Sequence, residues 1–300
     1  MDFHSYAKKS VVADFVCYFG KCITDWEVNY TSRHRRVKAE DRNFGARCLS
    51  DALDSYVWPS KFIAPQLVKI GDRSFQKGAT VEVYRWAETR QALDFLSNGL
   101  MLAIKNNDDN GCEIWCKEIM NWGMGSRGRS TLIFLRSQKS ITAYLKHVQT
   151  AIAKNSLDSI TSDAVAKMGS GLSKIHSLAS PGKLAILDSR VALALGTCII
   201  NFAEKKGLAS IPEELMLGYT GEKRRPRSRD SIAYRPLTGD YRWLRSQLKM
   251  SWLLMLALDI CPDVFKGIAD DKRLHSLEAC LFMFGAQREN LSNNLPPLEI

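Results

Sequence analysis

One carboxylate in this chain stands where a helix should begin. The apolar run Leu184-Ala185-Ile186-Leu187 leads into Asp188, and Val191, Leu193, Ala194 and Leu195 follow with buried spacing. That pattern predicts a helix capped by Asp188. Negative charge at a helix N-terminus gains about 0.3–1 kcal/mol from the local dipole. A carboxylate held there can stabilise a developing positive charge and can position or deprotonate a water molecule. Lys174 lies fourteen residues earlier and is either a nucleophile or a phosphate contact. Before it, Gly169 and Gly171 flank Ser170 and lead into Leu172 and Ser173. Two glycines with one residue between them allow a tight reversal whose amides face outward, suited to an anion.

These groups need elements to hold them. Asp163 to Met168 reads as a helix entering the glycine turn, a short helix should start near Ser173, and Pro181-Gly182 breaks it. Val191 to Phe202 is apolar all round and predicts a buried helix. Three- and four-residue spacing predicts further helices over 45–58, 89–103, 112–122, 141–153, 241–258 and 273–284. Ser10 to Ile23 fits either a strand pair or a short helix, and Val81 to Tyr84 fits a strand. The chain is therefore expected to be mainly α with a small N-terminal β element. Its expected organisation is a mixed region over 1–110, a helical domain over 111–220 and a C-terminal basic loop with helices over 221–300.

The segment Met168-Gly169-Ser170-Gly171, followed by Leu184 to Val191, resembles the helix-hairpin-helix superfamily of base-excision DNA glycosylases. The likeness is strongest from Met168 to Leu195, with the motif spanning about 163–195. It implies a two-lobed helical glycosylase-like fold and a flipped-out base whose N-glycosidic bond is cut. Asp188 would act at the sugar, and Gly169, Ser170, Gly171 and Leu172 through their amides, with Ser173 and Arg190, would hold double-stranded DNA. The resemblance also implies a monovalent cation at the hairpin, with no organic cofactor and no catalytic metal. Base-pocket residues upstream of the hairpin make Trp122 and Arg127 candidates, and Tyr234 and Tyr241 are aromatic candidates downstream. The gap between Gly171 and Asp188 is about a turn shorter than in the family, and Lys174 is displaced from the lyase position. Lys174 is therefore read as a phosphate contact, which gives a monofunctional enzyme leaving an abasic site. The likeness is to a divergent bacterial branch, which extends the candidate substrates to hypermodified viral DNA such as glucosylated hydroxymethylcytosine, in an anti-phage role.

Charge agrees with a polyanionic partner. The 300 residues carry a formal net charge of +10. The densest cluster is Lys223, Arg224, Arg225, Arg227 and Arg229, interrupted by Pro226 and Ser228 and so read as an exposed loop on DNA phosphates. Arg33-His34-Arg35-Arg36 is a second basic run, and Gly123 to Arg129 is a glycine- and arginine-rich turn. Phosphate contacts give affinity without base choice. The eight cysteines include no Cys-x-x-Cys pair, which argues against zinc and for structural thiols. No apolar run is long enough to span a bilayer and the N-terminus lacks a signal pattern, so a cytoplasmic monomer is expected. Two alternatives stand beside the enzyme: a non-catalytic DNA-binding protein gripping the backbone with its hairpin, and an all-helical interaction protein with incidental charge.

Overall fold

The computed structural model describes residues 1–32, 37–220, 225–228, 232–286, 291 and 295–297. Its elements are mainly helical, with three small antiparallel strand pairs near the N-terminus. The strands are β1 (Val28–Thr31), β2 (Asn43–Ala46), β3 (Val57–Ile63), β4 (Val68–Ile70), β5 (Arg73–Phe75) and β6 (Thr80–Arg85). β1 pairs with β2, β3 with β6, and β4 with β5, a hairpin that lies in the chain between β3 and β6. The helices are α1 (Phe3–Ala7), α2 (Ser10–Thr24), α3 (Trp86–Lys105), α4 (Asp109–Gly123), α5 (Arg129–Arg136), α6 (Ile141–Ala153), α7 (Ser170–Ala179), α8 (Ser189–Lys205), α9 (Asp240–Ile260) and α10 (Asp270–Phe284).

Two expected helices are absent. Residues 45–58 form the end of β2, a single 3-10 turn at Ser50–Leu53 and the start of β3. Pro59 explains much of this, because it forces the residue before it into extended backbone and carries no amide proton. The β3–β6 register shifts between Val57 and Ser60, across that proline. Ala46 and Val57 are buried as strand residues, so their helical spacing is coincidental. Asp163 to Met168 is a run of turns rather than a helix. Its buried members, Ala164, Val165 and Met168, are spaced as on a helix face, but six residues are too few to nucleate a helix unaided. The glycine turn is pinned from another direction: the Met168 amide donates to Asp240 Oδ1 at 2.7 Å, at the start of α9.

α7 sits at the centre of the helical part, packed on α3, α4 and α6. Every residue from Gly171 to Ala179 is buried. Gly171 permits the close approach, since a Cβ there would lie 2.3 Å from Thr131 Oγ1 and 3.0 Å from Met120 Sδ. Gly169 has open space around it.

Between α7 and α8 the segment Leu184 to Leu187 is buried yet has no regular structure. Buried backbone polar groups need partners, and here side chains supply them. Ser251 Oγ accepts from the Ala185 amide at 2.9 Å and Ser173 Oγ from the Leu187 amide at 2.8 Å. Gln247 Nε2 donates to the Ala185 carbonyl at 2.8 Å and to the Ser173 carbonyl at 3.1 Å. Polar residues inside the apolar helix α9 thus fix the strap that delivers Asp188.

Candidate active site

Asp188 is the N-cap of α8. Its Oδ1 accepts from the Arg190 amide at 2.9 Å and the Val191 amide at 3.1 Å. Its other oxygen, Oδ2, lies 3.6 Å from Lys174 Nζ, and both side chains are nearly removed from solvent. Lys174 comes from the second turn of α7, and its ammonium also donates to the Ser170 carbonyl at 3.4 Å. The end of α4 makes room for it: a Cβ at Gly123 would sit 2.6 Å from Lys174 Cδ. Withdrawing two opposite charges from water costs several kcal/mol per ion before their attraction offsets it. A buried ion pair is by itself weak evidence of a stabilising role.

The pair opens into a cavity of about 390 Å³, whose lining includes Tyr56, Trp58, Trp86, Trp122, Arg127, Ser170, Arg190, Glu278 and Phe282 as well as Lys174 and Asp188. That volume is typical of a pocket for a small organic group. Its walls are aromatic. Tyr56 meets Trp86 edge-on at 5.4 Å between ring centres, and Trp58 meets Phe282 edge-on at 5.1 Å. The Arg190 guanidinium lies over both Trp58 and Phe282, at 4.2 and 4.6 Å from the ring centres. Glu278, on α10, is buried, and burial pushes its carboxyl up from the usual carboxylate range, with His275 acting in the opposite sense. Burial likewise pushes the Tyr56 hydroxyl up, and the Glu278 carboxylate adds to it. Two other cavities are larger, about 570 Å³ beside Lys249 and about 730 Å³ beside Ser60, but neither gathers a buried acid–amine pair among aromatic rings.

The expected site residues divide into three groups. Asp188, Lys174, Ser170, Arg190, Arg127 and Trp122 converge on the one cavity. Lys174 lines this cavity with its side chain nearly removed from solvent, rather than standing on an outer surface. Gly171, Leu172 and Ser173 are buried in the packing of α7, and Gly169 is half-buried at the turn. Tyr234 is a core residue, stacked on Tyr219 at 6.4 Å, and not a pocket wall. Tyr241 lies outside the cavity, under the guanidinium groups of Arg242 and Arg245.

The basic loop is elsewhere too. Lys223, Arg224 and Arg229 lie outside the described residues, as does the run from Arg33 to Arg36. Arg225 and Arg227 are exposed, but Pro226 packs near Gly196 and Ser228 donates to Glu204 at 2.7 Å. Glu204 is sixteen residues beyond Asp188 on α8, about 24 Å away at 1.5 Å per residue. The described part of this loop therefore lies along the far half of the helix.

At the glycine turn, the Gly169 carbonyl accepts from the Ser173 amide at 2.8 Å and the Ser170 carbonyl from Lys174. Among the described residues there is also no cluster of His, Cys, Asp and Glu able to hold a metal ion, and no helix is long and apolar enough to cross a membrane.

The sequence reading missed Tyr56, Trp58, Trp86, Glu278 and Phe282. Trp58 was hidden in a stretch read as helix. Glu278 did leave a signal: it stands four residues after Leu274 and four before Phe282, an acid on the core-facing side of its helix. Comparison with protein-family models, with curated proteins and with solved structures finds no match to this chain.

Proposed function

We propose that this protein is a DNA N-glycosylase acting on a nucleotide swung out of the duplex. The observation that carries the reading is the meeting of Lys174 and Asp188, 3.6 Å apart, at the floor of an aromatic cavity. A base entering this cavity would lie among Trp58, Trp86, Trp122 and Phe282, which offer faces and edges for stacking. The glycosidic bond breaks with its electron pair leaving on the base, and positive charge gathers on C1′ and the ring oxygen of the sugar. The Asp188 carboxylate, fixed by two main-chain amides, stabilises that charge without reorganising.

The position of Lys174 supports covalent chemistry over simple hydrolysis. Once Asp188 or the departing base takes its proton, the amine can attack C1′, form the carbon–nitrogen bond and open the sugar ring to an imine. Strand cleavage at the abasic site would follow. This departs from the monofunctional expectation, which rested on the short spacing between the two residues in the chain; the spacing in space is what the chemistry needs. The exposed Arg127 at the cavity and the net charge of +10 support a DNA partner. The two-lobed glycosylase-like architecture and a substrate among modified or viral bases belong to the same proposal, carried by the resemblance at Met168 to Leu195.

The test is to incubate the protein with duplex oligonucleotides carrying unmodified, damaged or glucosylated hydroxymethylated bases, and to detect free base, abasic sites and nicked strand. Release of a base by the native protein and its loss in Asp188→Asn is the expected result. DNA binding with no release from any substrate would leave a binding protein in place of an enzyme.

A further inference from the structure

The cavity beside Lys249 has no part in the chemistry above. It measures about 570 Å³ and opens on the side of α9 that carries Arg242, Arg245, Ser246 and Lys249. These residues are spaced three and four apart and so share one face, while Gln247 and Ser251, which hold the strap, lie on another. The other charged groups of the lining are Arg235, Asp158, Glu213 and Glu214. Each of those carboxylates already has a cation: Asp158 the amino group of Met1, Glu213 the Arg235 guanidinium at 3.3 Å, and Glu214 the Lys9 ammonium at 3.9 Å. Arg242, Arg245 and Lys249 have no carboxylate within ion-pair distance among the described residues. Lys249 uses two of its three donors on the Glu213 and Met216 carbonyls. Arg245 gives its Nε to the Ile160 carbonyl at 2.8 Å, and Arg242 makes one long contact, 3.4 Å from its Nε to the Tyr241 hydroxyl. Both guanidinium groups rest against the Tyr241 ring, Arg245 at 5.1 Å and Arg242 at 5.8 Å from its centre. Their terminal nitrogens have no hydrogen-bond acceptor among the described residues, and Arg242 is exposed while Arg245 is half-buried.

We infer that this cavity is an anion site that takes a phosphate group, with Arg242 and Arg245 as its hydrogen-bond donors and Lys249 as the buried charge behind them. It stands whether or not the protein excises a base. A guanidinium steadied by an aromatic ring keeps its remaining N–H groups in one plane, where they suit the oxygens of an oxyanion. A phosphate group offers several such oxygens on one compact charge. The positive field is already felt at Tyr241, whose hydroxyl the Arg242 hydrogen bond and charge hold below its usual range. Burial lowers Lys249 to about 8, and a bound anion would offset that cost. Two carriers of the phosphate group fit the surroundings. One is a nucleic-acid strand, because Asp240, two residues before Arg242, holds the Met168 amide and so sets this cavity beside the glycine turn. The other is a small phosphorylated compound, because the volume falls in the range of small-molecule pockets.

The test uses the full chain and inorganic phosphate as the probe. Thermal melts in phosphate, against sodium chloride of equal ionic strength, are expected to rise by about 2 °C or more. A titration followed by phosphorus NMR gives the dissociation constant. Arg242→Gln combined with Arg245→Gln is expected to weaken phosphate binding at least about tenfold. Arg245 also anchors Ile160, so Arg242→Gln alone, at an exposed side chain, carries the test if the double variant unfolds; it is expected to weaken binding about threefold or more. Arg225→Gln combined with Arg227→Gln, exposed arginines on another loop, is expected to leave binding within about twofold. No phosphate-specific rise in the native protein, or native-like phosphate binding in a folded Arg242→Gln, overturns the inference. Competition then names the carrier. A short duplex that phosphate displaces at constant ionic strength, and that Arg242→Gln binds more weakly, assigns the site to a nucleic-acid strand. Phosphate binding that leaves duplex affinity unchanged assigns it to a small phosphorylated compound. Base release is not read in any of these measurements, so failure of the glycosylase reading leaves their outcome standing.

Discussion

Lys174 and Lys249 are both buried, on α7 and α9, yet their ammonium groups are treated differently. Lys249 Nζ donates to the Glu213 carbonyl at 2.8 Å and the Met216 carbonyl at 2.9 Å. Those neutral acceptors tie the 213–216 segment to α9. Lys174 Nζ has one long hydrogen bond, 3.4 Å to the Ser170 carbonyl, and a carboxylate at 3.6 Å. An amine fastened by short main-chain bonds is a strut. An amine held loosely beside an acid, facing a cavity, is free to move toward a ligand. The same contrast applies to the walls: Lys249 borders a cavity rich in charged residues, and Lys174 one rich in aromatic rings. Burial alone therefore does not mark a reactive lysine; the strength of its partners does.

Substitutions at the two lysines should pull this comparison apart. The largest expected effect is at the reacting pair. Asp188→Asn keeps the helix cap and should lower base release by about 10²–10³-fold, with DNA affinity retained, as measured by single-turnover excision and filter binding. Lys249→Met should leave excision per folded molecule unchanged, yet lose about 1–3 kcal/mol of stability in a urea melt, as two carbonyls lose their donor.

Acid should reveal a third buried base near the first lysine. His176, on α7, is held down to about 4 by burial. The unfolded chain then binds more protons than the fold between about pH 6.5 and 4, so stability falls with pH across that window, by about 3 kcal/mol in all. Lys249 gives the complementary signal, since burial lowers it to about 8. Its cost to the fold is present below pH 8 and disappears as pH rises towards the ordinary lysine value, so stability should climb there. Denaturant melts at a series of pH values, with His176→Gln and Lys249→Met as controls, check both slopes.

The two glycines of the turn offer a smaller contrast. Gly171→Ala forces a methyl against Thr131 and Met120 and should cost about 1–3 kcal/mol. Gly169→Ala meets open space and should change stability by less than about 0.5 kcal/mol. Smallest of all should be the double change Arg225→Gln with Arg227→Gln. Their loop lies along the far half of α8, so DNA affinity and its salt slope should move less than for Arg127→Gln at the cavity.

Much of the candidate site was legible because local rules placed it. Asp188 caps α8 as its flanking pattern requires, and the helices over 89–103, 112–122, 141–153, 241–258 and 273–284 emerge from apolar spacing. What local rules could not supply is the path between α7 and α8. Counting residues from Lys174 to Asp188 suggests too short a gap for the two to cooperate. The strap Leu184 to Leu187 closes that gap because Gln247 and Ser251, more than sixty residues later, satisfy its backbone. Such partners have no signature in the segment they stabilise. The aromatic walls were missed for a related reason. Trp58 and Trp86 stand at the start of β3 and the start of α3, and only the packing of α10 against α8 brings Phe282 and Arg190 to meet Trp58. Tyr234 illustrates the converse: its spacing suits a pocket wall as well as a core, and burial against Gly196 and Tyr219 made it core.

Borohydride trapping on a duplex holding a single preformed abasic site tests the Lys174–Asp188 pair most directly, because it needs no knowledge of the base. The native protein should become covalently joined to the strand, Lys174→Ala should not, and Lys249→Met should behave as the native protein does. Absence of a trapped complex with the native protein, or equal trapping after Lys174→Ala, would contradict the assignment of this amine and carboxylate to chemistry at the sugar.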